Sequence, residues 1–169
     1  ATALAAAYDA MQGALAHAGG ASPVEQALIR ALPARYPQRE AIEDQSPWDA
    51  AYANAMREVF RANRDDLEVR HVFVESIMNL TPWQMWNLKT GGIAEGAGTA
   101  EAVEVLEGAF RDIPASWNHP GLLHLYVHLM EMSPFPQRAL RAGDRLRNLV
   151  PDAGHLIHMP THIDVLCGH

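Results

Sequence analysis

The chain has 169 residues, is 49% hydrophobic and carries a formal net charge of −7 with neutral histidines. That length suits one domain with a sizeable core, and the negative charge argues against a nucleic-acid or anionic-membrane partner. No apolar run approaches the ~20 residues that span a bilayer, and a single cysteine, Cys167, excludes an internal disulfide. No signal peptide is visible, so a cytoplasmic location is expected. The chain opens on Ala1, which leaves an earlier processed segment open. Alanine is abundant and β-branched residues are sparse, so the expected class is all-α.

In chain order, residues 1–18 predict a helix, with Leu4, Tyr8, Met11 and Leu15 at three- to four-residue spacing and Gly19-Gly20 ending it. Ser22-Pro23-Val24-Glu25 is a capping-box start for a helix to about Tyr36. Ser46-Pro47-Trp48-Asp49 repeats the start signal, and Ala51, Ala55, Val59 and Ala62 predict one stripe of the helix that follows. A turn at Asn63-Arg64-Asp65-Asp66 leads into a helix from Leu67 to Leu80, which Pro82 breaks. Residues 87–98 read as a Gly-rich loop, long for a helix connection. They lack the Gly-Lys-Ser/Thr ending of a phosphate-binding loop. Thr99 is the expected cap of a helix to Asp112, and His119-Pro120 opens another to Met132. Further helices are expected over 136–149 and from Met159 to Cys167.

The helices come in pairs that resemble one another. LEVRHVFVES (from Leu67) aligns with PGLLHLYVHL (from Pro120), setting His71 on His124 and Glu75 on His128. With a small gap, HMPTH places His158 and His162 on the same two positions. Ala51 to Asn63, Ala102 to Pro114 and Ala139 to Pro151 repeat one small-residue-to-turn interval. This pattern resembles the tetratricopeptide (TPR) repeat, a helix pair of about 34 residues. The segments TPWQMW, HLYVHLMEMSP and GHLIHMPTHI look like parts of a microbial group of TPR-containing proteins, a likeness that carries no reaction with it. The Trp-Leu-Gly-Tyr positions of a typical first TPR helix are mostly missing. The resemblance implies a single domain over 1–169, a stack of about eight antiparallel helices in approximate pairs 1–37, 47–80, 99–132 and 136–169. It further implies that the first helix of each pair lines a concave groove, so that the three His/Glu pairs converge there. The last helix would lack its mate. A longer parent protein, or self-association through that C-terminal helix, is the expectation that follows.

Histidine is the chemistry-bearing residue. Seven of the nine histidines lie from His119 onward, five of them in HLYVHLME and HLIHMPTHI. Helix residues four apart share a face, so His124 with His128, and His158 with His162, can each present two imidazoles to one point. These four are the core metal-ligand candidates, with His155, Glu131, His71 and Glu75 as additions. Imidazole suits zinc, copper or iron. The competing reading is that these histidines only bridge helices through hydrogen bonds. The sequence is not HExxH, and Ser76 and Ser133 have no nucleophile context. Cys167 lies two residues from His169, but a structural role fits it better. Trp83 and Trp86 border the Gly-rich loop and are placed to anchor it as a lid; Met85, Met130 and Met159 fit core packing or soft-metal ligation. The leading expectation is a scaffold whose groove holds a protein, peptide or small ligand beside a metal-binding histidine cluster. A metal-dependent hydrolase or oxidase, and a plain protein-interaction repeat, are the alternatives.

Overall fold

Side-chain caps set where the helices of this all-α chain begin, as seen in a computed structural model that describes residues 2–168. The Thr2 hydroxyl accepts from the Ala5 amide and starts α1 (Ala3–His17). Ser22 and Glu25 complete the expected capping box at α2 (Pro23–Arg35). Two other expected caps are absent. Ser46 is the first residue of α3 (Ser46–Ala62), and its amide is taken by the Asp44 carboxylate. Thr99 likewise lies inside α5 (Thr99–Asp112); its hydroxyl donates to the Met85 carbonyl at 2.6 Å and ties the helix to the preceding loop. Asp66 accepts from the Val69 amide at the start of α4 (Leu67–Met78).

The chain divides into two compact units, the first running through Ser76 and the second beginning at Ile77. In the first, α2 packs along α3, and α1 packs on α2. The buried residues of α3 are Ala53 and Met56, not the stripe of Ala51, Ala55, Val59 and Ala62. Ala55, Val59 and Ala62 instead line a shallow groove with Ala27 and Ala31 of α2, while Ala51 is exposed. The small residues leave this groove open between α2 and α3, while the core takes the larger Met56. Phe60 stacks on the buried Phe73 of α4 with centroids 4.9 Å apart.

The second unit is built around α6 (Pro120–Glu131), which packs against α5, α7 (Leu140–Leu146) and α9 (Pro160–Cys167). Seven of its twelve residues are buried: Leu122, Leu123, Leu125, Tyr126, Val127, Leu129 and Met130. Each large aliphatic side chain so buried stabilises by roughly 1.5–3 kcal/mol. Facing them are Leu106 of α5, Leu146 of α7 and, at the C-terminal end, Met159 and Ile163, all buried. Tyr126 donates to Glu107 at 2.6 Å, and Arg138 also binds that carboxylate, joining α5 to α6 and to the 3₁₀ turn Pro136–Ala139. Burial, and then the Glu107 hydrogen bond, push the Tyr126 phenol upward from its ordinary pKa.

The C-terminal segment departs from expectation. The helix predicted over 136–149 is a 3₁₀ turn followed by the short α7. An additional helix, α8 (Gly154–His158), precedes α9 and is separated from it only by Met159. Met159 has φ −52° and ψ −40°, so the backbone stays helical through the junction, and Pro160 falls where a helix tolerates it. Counted with that junction as one rod, the expected number of about eight helices holds among the described residues. The outer face of α9 exposes Val165 and Leu166. No helix among the described residues is long and apolar enough to cross a membrane.

Residues 87–98 form no helix, as their Gly-rich composition suggested, and α4 stops at Met78, short of the predicted end at Leu80. Trp86 and Ile93 make a lone antiparallel bridge, and the Asn87–Gly92 turn closes between them. The loop ends at Gly98 because nothing larger fits there: an added Cβ would lie 2.2 Å from Ile77 Cγ2. Gly98→Ala should therefore destabilise the protein by about 1–3 kcal/mol through overpacking. Urea denaturation measures this, and an unchanged midpoint would show that Ile77 yields freely.

Candidate metal centre

The unburied side of α6 is a stripe. His124, His128 and Glu131 stand at i, i+4 and i+7 and are the polar side chains of a helix otherwise rich in leucine. A second stripe, His155, His158 and His162, runs along α8 and α9 at i, i+3 and i+7, because the junction at Met159 keeps the helical phase. The two stripes face each other. His124 Nε2 lies 3.0 Å from His155 Nε2, and Glu131 Oε2 accepts from His162 Nδ1. Both contacts join residues 31 apart in sequence. The rod formed by α8 and α9 therefore runs parallel to α6, with α7 packed against both α6 and α9.

Three imidazoles converge at one end of this seam. The ring centroids of His124 and His128 are 4.6 Å apart, those of His124 and His155 5.0 Å, and those of His128 and His155 6.0 Å. One ligand nitrogen from each of the three lies within 4.8 Å of the others, close enough to hold a metal ion. His124 and His128 are partly buried and His155 is exposed, so the group opens to solvent on the His155 side.

Glu131 orients two rings at once. Its side chain is only 8% exposed. Oε1 accepts from His128 Nδ1 at 2.8 Å while Oε2 takes His162 Nδ1. A ligand histidine whose far nitrogen is held by a carboxylate has its tautomer and ring plane set, and the nitrogen aimed at the metal becomes more basic. Burial raises the Glu131 pKa, but the hydrogen bonds from His128 and His162 and their charges together outweigh it. The carboxyl is thus held below its ordinary value of 4.5.

At the other end, His162 Nε2 lies 2.9 Å from His158 Nε2, with centroids 4.8 Å apart. The expected i, i+4 stacking of both histidine pairs is thus present. The inferred equivalence between them is not the one that places them in contact, because His155, not His158, stands opposite His124. His155, given as an addition, joins the three-histidine group, whereas His158 and His162 form their own pair linked to His128 through Glu131. His71 and Glu75 lie on α4 in the first unit, His71 half-buried and Glu75 exposed. His119 caps α6, its Nδ1 accepting from the Leu122 amide at 3.2 Å. His169 lies outside the described residues.

The two loop tryptophans reach this end of the unit. Trp86 Nε1 donates to the Leu129 carbonyl at 2.6 Å and pins the loop to α6. Trp83 presents an edge-to-face contact to His128 with centroids 5.8 Å apart, is 68% exposed, and is the one non-glycine described residue at positive φ, +62°. That left-handed backbone costs roughly 1–2 kcal/mol, and it turns the indole toward the histidines. Met85, Met130 and Met159 are buried in the core. Cys167 is a free, partly exposed cysteine.

No protein-family model matches this chain, and comparisons with curated proteins and with solved structures find no match.

The depressed Glu131 pKa carries a stability prediction. A carboxylate whose folded pKa lies below its unfolded value stabilises the protein above that unfolded value, near 4.5, and loses the contribution as pH falls through the folded one. Glu131→Gln should cost about 1–3 kcal/mol at pH 7 in metal-free protein. The gap to wild type should shrink as pH drops below 4.5. Denaturant titrations from pH 7 to pH 3 read both, and a gap that stays constant with pH would disprove the assignment.

Proposed function

We propose that this chain is a helical binding scaffold that holds a transition-metal ion on His124, His128 and His155. The observation that carries the reading is the convergence of these three imidazoles, with one of them oriented from behind by the buried Glu131. Neutral imidazoles select zinc, copper or iron over calcium or magnesium, which prefer oxygen donors. The 3.0 Å between His124 and His155 is close to the edge of about 3.3 Å that two nitrogens span around a tetrahedral zinc ion at 2.0–2.1 Å. The ionised Glu131 supplies one negative charge behind otherwise neutral ligands, which favours a divalent cation. Zinc and copper are the ions this donor set suits best.

The parallel run of α6 and the α8–α9 rod, with α7 packed on both, supports a TPR-like stack of helix pairs. In such a stack the histidine seam faces a protein, peptide or small-ligand partner. A second reading, a metal-dependent hydrolase, is favoured by one feature: three protein ligands with an exposed His155 leave a coordination position for water. Bound that way, water ionises near neutral pH and becomes a nucleophile.

Untagged protein, stripped with a chelator, offered Zn²⁺ or Cu²⁺ and dialysed, tests the site by elemental analysis. Wild type should retain one equivalent more than the double variant His124→Ala plus His155→Ala, and equal retention would refute the site. For the hydrolase reading, the Co²⁺-substituted protein should change its visible spectrum when azide is added. A spectrum indifferent to azide would leave the binding scaffold and remove the enzyme.

A further inference from the structure

We propose that His158 and His162 form a second cation position, distinct from the three-histidine site and coupled to it through Glu131. The coupling rests on the metal reading of His124, His128 and His155; the second position stands on the facing Nε2 atoms of His158 and His162, 2.9 Å apart.

A carboxylate near neutral pH only accepts hydrogen bonds. Glu131 takes one ring on each oxygen, so His128 and His162 both carry their proton on Nδ1. In a neutral ring the other nitrogen then bears a lone pair. His162 Nε2 is therefore an acceptor, and it faces His158 Nε2 across 2.9 Å. His158 is exposed and can carry its proton on either ring nitrogen. The Thr161 hydroxyl donates its single proton to the His158 carbonyl at 2.7 Å. Its oxygen is left as an acceptor beside His158 Nδ1, 3.5 Å away. With the proton of His158 on that side, two lone pairs point at each other.

In the other tautomer His158 keeps its proton on Nε2 and donates it to His162 Nε2 as an ordinary hydrogen bond; a cation that binds here shifts that proton to Nδ1 and takes both lone pairs. The 2.9 Å separation is near the roughly 3.3 Å edge of a tetrahedral site with nitrogen ligands. His158 and Thr161 are exposed, so water can fill the remaining positions. Two imidazoles plus water suit Cu²⁺, Ni²⁺ or Zn²⁺, in the general affinity order that places copper highest. This position is separate from the first because His128 and His162 turn opposite sides of Glu131 to their own partners, with ring centroids 6.4 Å apart.

Glu131 is thereby a positioning residue for both ions. An ion on His128 Nε2 draws charge through the ring and strengthens its Nδ1–H bond to Glu131. The same carboxylate holds His162 in register for the second ion.

The test uses the full untagged chain, stripped of metal and titrated calorimetrically with Zn²⁺ and with Cu²⁺, with elemental analysis of the end points. His155→Gln and His158→Gln are the informative variants, because both side chains are exposed and neither touches Glu131. Wild type should bind two equivalents, each single variant one, and the double variant none. Cu²⁺ bound to His155→Gln should show nitrogen hyperfine structure from two imidazoles, lost in His155→Gln/His158→Gln. Glu131→Gln should weaken both positions together by about 10- to 100-fold.

One equivalent in wild type that His155→Gln removes and His158→Gln leaves intact would overturn the second position while keeping the first. The reverse pattern would keep this position and overturn the three-histidine site. A single equivalent lost in either variant would mean one shared ion, and no uptake by His155→Gln would mean that the pair makes only its own hydrogen bond. Either result overturns the proposal.

Discussion

The second unit depends on one constraint: α6 must bury nearly its whole circumference while carrying two histidines and a glutamate. A helix hydrophobic on most sides belongs in a core, and a buried polar group without a partner costs several kcal/mol. The polar stripe of α6 therefore needs a complementary stripe. The α8–α9 rod supplies it, with His155 against His124 and His162 against Glu131. The seam is thus an answer to a packing problem before it is a chemical site. The seam is open to solvent at His155 and His158, so the contacts that gain from a low local dielectric are those of the part-buried Glu131.

Glu131 shows how burial and function meet. A carboxylate with 8% of its side chain exposed would be costly alone. Two imidazole N–H groups satisfy it, and in doing so they set the tautomers of His128 and His162. The arrangement leaves the outward nitrogens of both rings as lone pairs near other histidines. Three of the imidazoles on this surface, those of His124, His128 and His155, lie close enough together to hold a metal ion. Trp83 adds a wall to this surface at the expense of an unfavourable backbone conformation, a pattern typical of residues held where they are for a site rather than for the fold.

Much of this was legible in the residues. Ser22-Pro23-Val24-Glu25 reads as a capping box and is one, because every atom of that motif lies within a single turn. Ser46 and Thr99 carry the same residue types but do not cap. Asp44 takes the amide of Ser46, and the hydroxyl of Thr99 is drawn to the Met85 carbonyl fourteen positions earlier. The stripe of Ala51, Ala55, Val59 and Ala62 lies beside the core residues Ala53 and Met56, since periodicity marks an apolar side without saying which neighbour covers it. The helix α8 went unread because five residues between Pro151 and Pro160 offer too little pattern.

By itself the sequence determined the all-α class, the principal helices and the stacking of His124 on His128 and of His158 on His162. These follow from the 3.6-residue turn, which acts over a few residues and is written in spacing alone. The tertiary structure decided which stripe meets which. His155 rather than His158 lies opposite His124, and Glu131 reaches both His128 and His162. That register is set by α7, which packs against both α6 and α9, and by the buried Met159 and Ile163 locking the rod against the core. Such contacts join residues far apart in the chain, and a match between two surfaces leaves no period in either one.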